Sequence, residues 1–71
     1  MKIDIEPIQG ELQDLAGSEK VKVKLDKRMD IGCSIRQSDR GYIVKLNPSR
    51  IRHSSTLERH LNSCREMIGN S

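Results

Sequence analysis

The sequence predicts a small α+β domain, with a mainly antiparallel sheet of about four strands packed against one C-terminal helix. Three observations point there. Short runs of alternating apolar and polar residues recur between Lys2 and Leu46, a Ser38-Asp39-Arg40-Gly41 turn joins two of them into a hairpin, and the apolar residues switch to helical spacing after Ser55. The expected order is β, short helix or loop, β, β, β, α, in one domain spanning residues 1–71 with a frayed tail at 69–71.

Lys2 to Glu6 places Ile3 and Ile5 on one side of a short strand that Pro7 ends. Ile8, Leu12, Leu15 and Ala16 then recur at helical intervals until Gly17, which predicts a turn or two of helix or a structured loop. In Lys20 to Asp26 the apolar Val21, Val23 and Leu25 alternate with Lys20, Lys22 and Lys24, the pattern of a half-buried strand with a lysine row outside. Asp26 to Asp30 reads as a polar corner with Met29 turned inward. Ile31, Cys33 and Ile35 share a face of the next strand, and Gly41, placed for a positive φ, closes the hairpin over residues 31–46 onto Tyr42 to Leu46.

Asn47-Pro48-Ser49-Arg50 has turn chemistry, and Pro48 cannot donate to a sheet ladder, so the chain leaves the sheet there. Arg50, Arg52 and His53 follow around a single apolar residue, Ile51, as a solvated basic connector. Ser55 and Glu58 have the spacing of a capping box, Leu57, Leu61, Cys64 and Ile68 form a narrow apolar stripe, and Gly69 ends the helix. The expected core is Ile3, Ile5, Val21, Val23, Leu25, Ile31, Cys33, Ile35, Val44, Leu46, Leu57, Leu61, Cys64 and Ile68, with Tyr42 at its rim and Ile43 facing away.

The chain lacks Trp and Phe and has one Tyr, so aliphatic side chains and cysteine must build that core. A domain of this size buries only about 60% of its unfolded surface, which makes a homodimer an expected supplement. No charged and apolar leader precedes the two cysteines and no apolar run is long enough to span a membrane, so reduced thiols in a cytoplasmic protein are the expectation. The formal charge is +3, and twelve of the thirteen cations follow Glu19. That asymmetry suits a phosphate backbone or an acidic protein surface.

The soft metal ligands are Cys33, His53, His60 and Cys64. His60 and Cys64, four apart on the helix, could share one ion, and pooling all four would make a tetrahedral zinc site. The set contains no knuckle-type pair, and Cys33 and Cys64 both fall on core faces, so the residues favour no metal and no cofactor. Glycine-rich phosphate loops, Ser-His-Asp sets and convergent carboxylate pairs are all missing, which argues against an enzyme.

The order of strands and hairpin, the Ile43-Val44-Lys45-Leu46-Asn47-Pro48 segment and the helix after a short basic connector resemble the SprT-like and related minimal zincin domains over residues 24–68. In that resemblance His60 takes the place of the first histidine of HExxH and Cys64 that of the second. Leu61 stands where the catalytic glutamate belongs, and only Arg65 to Ser71 remain downstream to supply a third ligand, so the resemblance implies a hydrolytically inactive relative.

The leading expectation is therefore a small non-enzymatic regulatory or interaction protein that docks on another macromolecule, most simply a protein, a profile that suits a phage or other mobile element. The alternative is nucleic-acid binding through Lys22, Lys24, Arg50, Arg52 and Arg59, and a third is a degenerate zinc-binding domain. No membrane partner is expected. The Ile43 face beside Lys22 and Lys24 is the candidate surface for a dimer or another partner.

Overall fold

In the computed structural model, which describes residues 2–70, the first element is a helix, α1 (Ile5–Ala16), where a strand was expected over Lys2 to Glu6. The local chemistry explains the difference. Ile5, Ile8, Leu12 and Ala16 fall on one helical face, and Asp4 caps the helix by accepting from the Glu6 N–H at 3.3 Å. Pro7 lies in the first turn, where its missing N–H costs no intrahelical bond, so it marks a helix start rather than a strand end. Ile3 and Ile8, both buried, occupy the two positions of a hydrophobic staple around Asp4. Gly17, at φ 68°, ends the helix and donates to the Gln13 carbonyl at 3.1 Å.

Three strands follow, β1 (Lys20–Leu25), β2 (Cys33–Ser38) and β3 (Gly41–Leu46), and then α2 (Ser54–Gly69). The fold is α+β with a C-terminal helix, but the sheet has three strands rather than four and is mixed. Its order is β1-β3-β2, with β1 parallel and β2 antiparallel to β3. Local alternation reports which way side chains face, not which strand is the neighbour. The central position of β3 is nonetheless visible in its composition, since Tyr42, Ile43, Val44 and Leu46 make it the most apolar strand.

For β3 to lie between β1 and β2, the connection through residues 26–32 must cross over its end, and Asn47 holds that crossing. Asn47 is 1% exposed. Its side-chain amide donates to the Met29 carbonyl at 2.6 Å, its side-chain oxygen accepts from the Ser49 N–H at 3.0 Å, and its own N–H donates to the Gly32 carbonyl at 2.8 Å. Its carbonyl accepts from the Arg50 and Ile51 N–H groups, which turns the chain out of the sheet. Every polar group of this buried residue is therefore matched, as burial demands.

The outer edge of β1 is closed by α1. Gln13 accepts from the Val21 N–H at 3.0 Å and donates to the Glu19 carbonyl at 2.6 Å. Gln9 accepts from the Val23 N–H at 2.8 Å and donates to the Val21 carbonyl. Two glutamines four apart on a helix thus stand in for the fourth strand that the sequence led us to expect.

Both helices pack toward the face carrying Val21, Val23, Tyr42, Val44 and Leu46, and with these Ile3, Ile8, Leu12, Ile51, Leu61, Cys64 and Ile68 form the core. Ile5, Cys33, Ile35 and Leu57 are partly buried against it. Ile51, expected to pin a solvated connector, is fully buried, a contribution of roughly 1.5–3 kcal/mol for such a side chain. Two expected core residues are exposed, Leu25 at 45% and Ile31 at 57%. Leu25 has the parity of Val21 and Val23 but is the last residue of an edge strand, and Ile31 precedes β2, which starts at Cys33. The capping box at Ser55 does not form. The cap of α2 is His53, without a side-chain bond, and Glu58 instead accepts from Arg65 at 2.6 Å. Gly69 is helical and Asn70 follows as the C-cap; of the expected frayed tail, Ser71 lies outside the described residues.

Candidate functional site: a basic sheet face

The side of the sheet away from the helices is set by parity. Because Val21, Val23, Val44 and Leu46 turn toward the core, the residues between them turn outward. The registers then build a surface in rows. Lys20 aligns with Gly41 and Ser38, Lys22 with Ile43 and Arg36, and Lys24 with Lys45 and Ser34. Lys20, Lys22, Lys24, Arg36 and Lys45 therefore share one face, and no strand residue on that face is acidic. Ile43, half-buried at its centre, separates two shallow hollows, one bordered by Met29, Ser34, Arg36 and Lys45 and the other by Lys20, Lys22, Ser38 and Arg40.

The two helices carry a different balance. Asp4, Glu6, Glu11 and Asp14 lie in or beside α1, and Glu58 and Glu66 lie on α2. Arg65 bridges the helices, with its guanidinium donating to both oxygens of Glu11 at 2.6 and 2.9 Å and to Glu58 at 2.6 Å. The bonds from Arg65 hold the Glu11 carboxyl below its usual pKa. A groove between α1 and α2 runs past Leu15 and this ion pair, but its cation is already committed to protein carboxylates.

The five cations proposed from sequence separate into three places. Lys22 and Lys24 stand on the open sheet face. Arg50 and Arg52 lie in the exposed connector after β3, and Arg59 lies on α2 on the side away from Leu61 and Cys64. Sequence reasoning missed Arg36, which only strand register brings beside Ile43, and Lys45, which the parity of Ile43 could have placed on the same face.

The soft ligands are also dispersed. Cys33 and Cys64 are free thiols whose Sγ atoms lie 3.8 Å apart between β2 and α2. His60 is half-buried, its ring lying against Gly32, where an added Cβ would come within 2.9 Å of Nε2. His53 is exposed at the start of α2. Among the described residues no group of three or more His, Cys, Asp or Glu side chains is arranged to grip an ion. No described helix is long and apolar enough to cross a membrane.

The two thiols are not equivalent. Cys64 is fully buried, and its bond with Cys33, together with burial, pushes its pKa up; the same bond lowers that of the half-buried Cys33. The half-buried Cys33 is therefore the more accessible thiol, and its pKa is shifted in the direction that favours the thiolate. A thiol-specific alkylating reagent is expected to label Cys33 first, with Cys64 labelled only on unfolding. Peptide mass spectrometry checks the order, and equal rates at both positions would contradict the packing of α2 over Cys64.

No protein-family model, no curated protein and no solved structure matches this chain.

Proposed function

We propose that this chain is a non-enzymatic docking protein whose contact surface is the open face of the sheet and whose partner is an acidic macromolecule. The observation that carries this reading is the gathering of Lys20, Lys22, Lys24, Arg36 and Lys45 on one face without a neighbouring strand carboxylate. Lysines on an exposed sheet can also serve only to discourage edge pairing. Here the outer edge of β1 is already closed by Gln9 and Gln13, so that need is met without the lysine row. Lys45 and Arg36 lie on the central strand and on β2, which extends the charge across the whole sheet. The side chains best suited to nucleophilic chemistry, Cys33 and Cys64, face each other across the β2–α2 contact, an arrangement that favours structure over catalysis.

Chromatography on an immobilised sulfated polysaccharide tests the reading. The wild-type protein is expected to be retained at low salt, and Lys22→Glu combined with Lys24→Glu to elute much earlier. Arg50→Ala combined with Arg52→Ala should shift elution only slightly. Equal retention of the wild type and the lysine variant would remove the sheet face as the docking surface.

A further inference from the structure

Resting on the docking reading above, we infer that the occupant of the sheet face is the sugar–phosphate backbone of double-stranded nucleic acid, bound without regard to base sequence. Four features of the face lead to this partner.

The first is composition. Protein–protein interfaces are depleted in lysine at their centres and draw on aromatic and other large apolar anchors, whereas nucleic-acid interfaces are polar and strongly positive. The strands contribute four lysines, one arginine and a single apolar side chain, Ile43, to this face, with Met29 of the preceding connection bordering one hollow. That is the second kind of surface.

The second is layout. A site for one small anion gathers its donors around a point. Here Lys20, Lys22 and Lys24 stand in a line along β1, at intervals of roughly 6.6 Å for alternate residues of a strand. Lys45 and Arg36 lie one and two strands away, each step about 4.8 Å. The charge is spread over a plate six residues long and three strands wide, which matches an extended polymer of repeating charge.

The third is the absence of a stacking platform. Single-strand binders hold bases on exposed aromatic rings. The one aromatic residue of the chain, Tyr42, belongs to the opposite face and is 2% exposed. Unpaired bases would find no ring on this surface, whereas a duplex presents its phosphates outward with its bases already stacked.

The fourth is the type of cation. Lysine is a point charge suited to phosphate, whereas bidentate reading of base edges relies on arginine, asparagine or glutamine. With four lysines to one arginine, the contacts position a backbone and carry no sequence code.

Fluorescence anisotropy separates the possibilities. The probes are a short mixed-sequence duplex, a second duplex of scrambled sequence, the corresponding single strand, and a polyglutamate peptide of similar charge. Both duplexes are expected to bind equally and more tightly than the single strand. If three or four phosphates are neutralised, log Kobs should fall against log salt with a slope of about −2.7 to −3.6. Lys22→Gln with Lys24→Gln should weaken duplex binding at least tenfold and reduce the slope by roughly two. Arg50→Ala with Arg52→Ala should change affinity by less than a few-fold. Circular dichroism should be unchanged in both variants, since all four side chains are exposed.

Preferential binding of the single strand, or a strong preference between the two duplexes, would overturn the inference. Binding of polyglutamate without the duplex would also overturn it while leaving a docking protein for acidic polypeptides. Binding of none of the probes would remove both this inference and the docking function on which it rests.

Discussion

Gly41→Ala is expected to remove about 3 kcal/mol or more of folding stability, from a backbone strained at the wrong φ and from a clash that displaces a whole strand. Gly41 has φ 139°, which L side chains rarely adopt, and a Cβ built there would lie 1.9 Å from the carbonyl oxygen of Lys20. That oxygen belongs to backbone, so no rotamer change relieves the contact; β1 must move away from β3. The same glycine ends the Ser38 turn, where the Ser38 hydroxyl donates to the Gly41 carbonyl at 3.3 Å and accepts from the Arg40 N–H. One substitution therefore loosens the hairpin and the parallel pair together. A chain of this length has a total stability of roughly 4–10 kcal/mol, so the loss is a large share of it. Urea denaturation measures it, and a cost below about 1 kcal/mol would mean that β1 does not approach β3 at Lys20 as described.

Asn47→Ala is expected to cost about 2–3 kcal/mol, because it leaves the Met29 carbonyl and the Ser49 N–H without their side-chain partners at a buried position. The loss should also have an address. Since the Asn47 amide fastens the crossing over residues 26–32, amide hydrogen exchange should accelerate in that connection more than in α1. An Asn47→Ala protein with wild-type stability and unchanged exchange at residues 26–32 would show that the crossing is held by something else. For a molecule of this size each kcal/mol lowers the melting temperature by roughly 4–8 °C, so both substitutions should be obvious in a thermal scan.

The elements legible in the sequence were those whose signal is local. Alternation along Lys20 to Lys24, the glycine at 41 with its positive φ, and the Leu57, Leu61, Cys64, Ile68 stripe each specify their own backbone, and these are where they were expected, with Leu25 the exception at the strand end. The start of α1 is ambiguous in sequence, because Ile3 and Ile5 match a strand over five residues while the longer series through Ile8, Leu12 and Ala16 matches a helix. The capping box shows the opposite failure. Its spacing is present at Ser55 and Glu58, but α2 begins earlier, with His53 at the cap, so Ser55 already lies inside the first turn and Glu58 pairs with Arg65 instead. Sheet order was not readable from periodicity at all, and that limited the site as well. Lys22, Lys24 and Ile43 could be placed on one face from parity alone. Lys45 has the parity of Ile43 and belongs with them, Arg36 is brought beside Ile43 only by the pairing of β2 with β3, and Arg50, Arg52 and Arg59, near in composition, lie in other parts of the fold.

The glutamine pair on α1 also limits where a further strand could be added to the sheet. A sheet with two bare edges can add strands at both, and repeated addition propagates into a fibre. Along β1 the outward groups of Val21 and the N–H of Val23 are occupied by Gln9 and Gln13, and β2 is the other edge of the sheet. Addition at β2 by a second copy through its own β2 closes both sheets at once and terminates at two. Such a pair would carry the lysine-bearing faces in one continuous six-stranded surface.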